Sequence, residues 1–581
     1  MPQGKTELDW PYLALFGIAA AWLLILMLLP GTGWLVRSQA RMLTQRPTDL
    51  IIMLNELGAE DVPGVDLNVA PENDVRARAA LNGSFSERLS QALSGPTQGR
   101  VGALMVLAKQ FSGAQRAEVL ADALRFATMG PIRLNRDAEE SAFFGDPLST
   151  SPTIPTPPTP PEALALFDQN AAAGELLEPD NAYFPMMRAV GLIVAHRDAE
   201  ALEEIRRTGS ETVFEDYTMD EARVRLTHLE RRAGKQTALA SLAVIGAVLD
   251  PHYAQLRAAA RFVAYKAAQA EKAGRTQEGF ALRRAMMRCG SQMRVQSHSL
   301  IGSLVGAAIV PVSMRGAGPR YGGMTLSAWK ALSDEQRQRR REEAYCAYVT
   351  RIEHAEEASW VTKELAADSE VSAIGKAGMP LGPMGNQGFA ELFRLMFQTM
   401  ILLANAAEIL LLSGAMWLLK GRRREQTIAL FTLIVLFVVI AGRMQWAPAL
   451  AAFRQVVWNL SETGATEYGS NLGDLTFNFL STLPNIARGA AFVGCLIGPT
   501  LALMILGAVR LVRGEKEDSV VAPGLRKGGA AAALLLVGAY SFAVAGMLHE
   551  EVRQREAQQH MMQSEGIYFA ELAHMQWPPE P

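Results

Sequence analysis

From Leu418 to Thr427 the chain reads LLKGRRREQT, so Lys420, Arg422, Arg423 and Arg424 crowd one short loop between two long apolar runs. Basic side chains beside a membrane span resist translocation, and a loop this short and this basic stays cytoplasmic. The apolar run before it starts near Leu395, which puts the several hundred residues upstream on the opposite side. This loop therefore constrains the architecture more than any other feature.

The first apolar stretch, Trp10 to Val36, has no charged residue and carries Trp10 and Trp34 near its ends. Aromatic side chains suit the two interfaces of a spanning helix. Ser38-Gln39-Ala40 is a poor small-x-small cleavage site, so the segment reads as a retained anchor. Four more spans are expected at Leu395–Leu419, Thr427–Gly442, Gly489–Val509 and Gly528–Met547. The second of these is short for a hydrocarbon layer of about 30 Å, and Arg424 and Arg443 can snorkel outward at its ends. Arg510, Arg513, Lys516, Arg526 and Lys527 mark a second cytoplasmic loop. Both loops give one topology: N-terminus inside, residues 37–394 outside, C-terminal tail outside. Arg37, Arg41 and Arg46 after the first span pull the other way, but long domains translocate despite local charge. Thr237–Leu249 and Leu300–Val312, about 13 residues each, suit buried core helices better than spans.

The 581-residue chain carries a formal net charge of −3, which argues against a nucleic-acid partner. Three cysteines are too few for a disulfide framework. Seven prolines in residues 146–161, DPLSTSPTIPTPPTPP, force an extended linker. On either side the pattern is helical, as at Ala117, Leu120, Leu124 and Ala127, while alternating β-branched runs are nearly absent. The expected fold is thus all-α. Its parts are an anchor (1–36), a helical region (37–145), the linker (146–161) and a helical hairpin domain (162–374). A Gly-rich connection (375–394), a four-helix membrane module (395–547) and a tail (548–581) follow. The charged stretch from Ser333 to Trp360 reads as one long solvated helix.

Two segments look like helical hairpins. Glu178–Ser210 sets Ala189 and Ala201 twelve residues apart; Ala260–Gly290 sets Ala267 and Gly279 twelve apart, with Gly274 at the turn. Small residues at that separation let two antiparallel helices approach closely. Together with "PDNA", the Arg197–Leu202 run and "KAGRTQEGF", this resembles the tetratricopeptide (TPR) family, in which stacked helix pairs usually bind other proteins. The resemblance implies a protein or peptide partner for the hairpin domain. An irregular helical bundle is the competing arrangement.

Signatures of chemistry are missing: no phosphate loop, dinucleotide fingerprint, HExxH, CxxC or GxSxG occurs. No cofactor, metal site or catalytic residue is expected. Within the Leu395–Leu419 span, Glu408 lies three residues after Asn405, and an ionisable group there faces a bundle interior or a wet cavity. Gly494 and Gly498 form a GxxxG pair for close helix packing. Trp446, Leu450, Phe453, Val457 and Leu460 give one apolar interfacial face. The sequence points to a multi-pass membrane protein acting as an envelope interaction or assembly scaffold. Its surroundings are the lipid bilayer, in an Ala-, Leu- and Arg-rich bacterial style that suggests the inner membrane; oligomerisation stays open. The competing function is transport or signal transmission through the four-helix module and Glu408.

Overall fold

The computed structural model describes residues 10–44, 84–93, 97–144, 158–318, 323–382, 386–418 and 521–577, except 234, 236, 239, 240, 243, 244, 246, 247 and 249. The spans at 427–442 and 489–509, the loop cations Lys420, Arg422, Arg423 and Arg424, the Gly494/Gly498 pair, the 446–460 face and most of the Pro-rich linker lie outside the described residues. Among the described residues the fold is nearly all helical and contains no strand. A single isolated bridge joins Asn181 and Val213.

The chain forms two compact units. The first gathers residues 1–54, 233–247 and 383–557; the second gathers 55–232, 248–382 and 558–581. In the first unit lie α1 (Trp10–Leu28), α2 (Gly33–Thr44), α17 (Asn386–Leu418) and most of α18 (Val521–Gln563). Among the described residues three stretches, Trp10–Leu28, Arg394–Gly414 and Gly528–Gln563, are long and apolar enough to cross a membrane. Their shared core is built from small and branched residues, with Ala19, Ala406, Ile409, Ala533 and Val537 all buried. Alanines at such a seam let helix backbones approach closely. Ala238, Leu242 and Ile245 of the 237–249 patch are buried.

The second unit contains α3 (Phe85–Leu93), α4 (Thr97–Ala108), α5 (Gly113–Ala127), α6 (Asp137–Phe144), α7 (Pro161–Leu177), α8 (Tyr183–Val194), α9 (Asp198–Thr208) and α10 (Thr218–Ala233). It continues with α11 (Pro251–Lys272), α12 (Thr276–Gln296), α13 (Leu300–Ser313), α14 (Leu326–Ala331), α15 (Asp334–Arg351), α16 (Ala355–Gly378) and, after α17 and α18, α19 (Glu565–Leu572). Local chemistry sets many of the starts. Pro161 and Pro251 stand at the first turns of α7 and α11, where a missing N–H costs nothing. Ser299 and Thr325 cap α13 and α14 through their hydroxyls, and Ser333 with Gln336 forms a capping box on α15.

Leu300–Ser313 is a short apolar helix with Leu300, Ile309 and Val310 fully buried. It crosses α12 with glycine on both sides: a Cβ on Gly290 would stand 2.9 Å from the Gly306 carbonyl oxygen. Residues 375–394, read from sequence as a connection, are helical over 375–378 and again from Asn386. The glycines there permit packing rather than looping, because Gly378 lies against the backbone carbonyl of Phe569. Ser333–Trp360 likewise departs from the single solvated helix. It bends at residues 352–354 into α15 and α16, and Tyr345, Tyr348, Val349 and Val361 form a buried core between the charges.

Candidate functional site

Three helical hairpins share one turn. The pairs are α8/α9, α11/α12 and α15/α16, and each first helix packs on its own second helix. At the turn, a residue with left-handed backbone follows the first helix: His196 (φ 57°), Gly274 (φ 83°) and Glu353 (φ 66°). The next amide then reaches back five residues, from Arg197 to Leu192 O (2.9 Å), Arg275 to Ala270 O (2.9 Å) and His354 to Val349 O (2.9 Å). This closes the orphan carbonyls of the first helix in the Schellman manner. The same residue is the N-cap of the second helix, with φ/ψ of −91°/57°, −88°/57° and −115°/51°. An acid stands three residues on in each case, Glu200, Glu278 and Glu357, where the helix dipole favours negative charge.

A small residue stands four past each N-cap: Ala201, Gly279 and Ala358. Ala201 is fully buried, and a Cβ on Gly279 would meet the Ala267 carbonyl oxygen at 2.7 Å. Those two crossings involve the residues the sequence singled out. The third was hidden by the charge density of its segment. The first two hairpins lie side by side, with α8 on α11 and α9 on α12; α13 then packs on α11, α12 and α16. At the α7 end of this arrangement, Leu176 is 86% exposed and Val213 43%.

Among the buried polar groups of the described residues, two tie α10 to its neighbours. In one, Asp216 accepts from Tyr253 Oη (2.6 Å), His252 Nε2 (3.2 Å) and the Thr218 amide (3.1 Å). Tyr253 also meets Ser299 Oγ at 2.7 Å. Burial alone would raise the Asp216 pKa, but these donors hold it well below the usual carboxylate range, while burial pushes His252 down. His252 Nδ1 has no hydrogen-bond partner, so no serine–histidine pair is formed. The group instead ties the starts of α10, α11 and α13 together. In the other, Arg125 of α5 is buried between Asp122 and Glu221, with Arg225 on Glu221, which joins α5 to α10. Burial raises the Asp122 pKa to about 8 against the pull of Arg125.

In the first unit, Asn405 donates to the Ile401 carbonyl of its own helix (2.8 Å), and Glu408 is half-buried on α17. Gln39 of α2 donates to Thr399 Oγ1 (2.7 Å) and accepts from Tyr540 Oη (2.8 Å), joining α2, α17 and α18. Sequence reading missed Gln39 because nothing local marks a glutamine that follows the span by a few residues. Among the described residues no group of three or more His, Cys, Asp and Glu could hold a metal ion. Cys289 is buried and Cys346 half-buried, both as free thiols. Comparison of the chain with family models, curated proteins and solved structures finds no match.

Proposed function

We propose that this chain is a membrane-anchored assembly scaffold whose hairpin unit docks a protein or peptide partner outside the cytoplasm. The observation that carries the reading is the threefold turn: Arg197, Arg275 and His354 stand 78 and 79 residues apart with the same backbone closure and a small residue four positions on. Helix pairs joined this way and stacked first helix on first, second on second, are how TPR-like arrays build an extended binding face. The spacing is more than two 34-residue TPR units, so the arrangement is TPR-like in its hairpins and its own in period. Leu176 and Val213, apolar and exposed at the end of the stack, are the natural contact points for a partner.

The orientation in this reading follows from the basic loop at 420–424: N-terminus cytoplasmic, hairpin unit periplasmic in a bacterial inner membrane. Transport through Glu408 has less support, since Asn405 beside it bonds its own helix. A photoreactive residue in place of Leu176 tests the scaffold directly. Irradiation of intact cells should give one discrete adduct that is missing when Lys109, exposed on the same unit, carries the probe instead. Identical ladders of adducts from both positions would sink the reading.

A further inference from the structure

The C-terminal segment is built into the hairpin unit, although the membrane helices separate the two in sequence. Just past α18, Ser564 caps α19 by accepting from the Ile567 amide (3.4 Å). The Glu565 amide donates to the His298 carbonyl (2.9 Å), and the Glu565 carboxylate accepts from the Leu300 amide (2.7 Å) at the start of α13. The His298 ring bonds the Gln563 carbonyl (2.8 Å) through Nδ1 and Glu215 (2.9 Å) through Nε2. Arg223 of α10 donates to the Met562 carbonyl (2.7 Å). Apolar contacts complete the seat. Tyr568, Phe569 and Ala570 are buried, the Phe569 carbonyl lies against Gly378 of α16, and the Trp577 ring covers Gly566.

We propose that this tail is a clasp that obliges the chain entering α17 and the chain leaving α18 to face the same compartment, with an even number of crossings between them. The inference rests on reading α17 and α18 as spans. An element hydrogen-bonded into a folded unit, with its aromatic side chains in that unit's core, cannot be across a hydrocarbon layer of about 30 Å from it. The four crossings expected from sequence satisfy the condition; three or five do not.

The test uses the full chain in intact cells, with Cys289, Cys346 and Cys495 replaced by alanine. Lys109→Cys reports the hairpin unit and Gln576→Cys the tail, both at exposed positions. An impermeant thiol reagent should treat them alike. Both labelled in intact cells, or both only after lysis, supports the clasp whichever way the protein is oriented; opposite behaviour overturns it. Release of the whole protein by carbonate would defeat the reading of α17 and α18 as spans, and with it the crossing rule. A second arm places the cysteine at buried Ala570 (2% exposed). Gly378→Leu, which drives bulk into the Phe569 carbonyl, and Trp577→Ala, which only removes it, should each raise labelling at least tenfold in detergent. An unchanged rate in both overturns the clasp.

Discussion

His196 and Glu353 adopt left-handed backbone although neither is glycine (φ 57° and 66°). The hydrogen bond that closes each turn compensates for the Cβ clash. His196→Gly and Glu353→Gly should therefore each stabilise the protein by about 1 kcal/mol, and Gly274→Ala should cost a similar amount. Urea unfolding of the three variants checks this; a destabilised His196→Gly would mean that the imidazole, not the turn, holds that corner. Gly279→Leu and Ala201→Leu should each cost on the order of 1–3 kcal/mol by overpacking their crossings. Unchanged melting temperatures in both would remove the close-approach argument. Ala201 and Gly279 were legible because a small residue at fixed distance from a turn is a local pattern. His196 was not, because left-handed backbone at a non-glycine residue is imposed by the helices on either side.

At the scale of elements, helices were legible in the sequence and their packing partners were not. Leu300–Val312 was readable as a core helix from its length alone, since about 13 residues are too few to span. That α13 crosses α12 through Gly290 and Gly306 was not, because the two glycines matter only once both helices are in place. The α15/α16 hairpin was missed for a different reason. Its apolar positions Tyr345, Tyr348, Val349 and Val361 lie among many charges, and the bend at 352–354 carries neither glycine nor proline. The α19 clasp adds a pH dependence. The bond to Glu215 carries the His298 pKa up to about 9 against the opposing effect of burial, and burial pushes Glu565 up to about 7. Both values lie above those of the free groups, so both contributions are full at low pH. The Glu565 share is lost as pH rises through about 7 and the His298 share as it rises through about 9. Proteolytic release of the tail, normalised to an unfolded control peptide, should thus be faster at pH 9 than at pH 6. Glu565→Gln should weaken that dependence; an equal rate at both pH values in the parent would contradict the assignment.

For the whole molecule the same sign recurs. Burial raises Glu118, Asp250 and Asp368 to about 8, with Asp122 and Glu364 adding repulsion at the first and last. Each favours the folded state at low pH and loses that contribution as pH rises through about 8. Asp216 and His252, shifted down, act in the opposite direction only on acidification. The melting temperature should therefore fall between pH 7 and pH 9, and Asp250→Asn should flatten part of the slope; a rise over that interval would contradict the burial argument. The scaffold proposal has the protein work through the exposed end of its hairpin stack rather than through the Glu408 carboxyl. Complementation of a deletion strain, scored by detergent sensitivity of the envelope, tests it most directly. Glu408→Gln should complement fully, and a chain with Leu176→Glu and Val213→Glu should be produced at parental level yet fail. Loss of function in Glu408→Gln, with full rescue by the doubly substituted chain, would contradict the scaffold and favour transport.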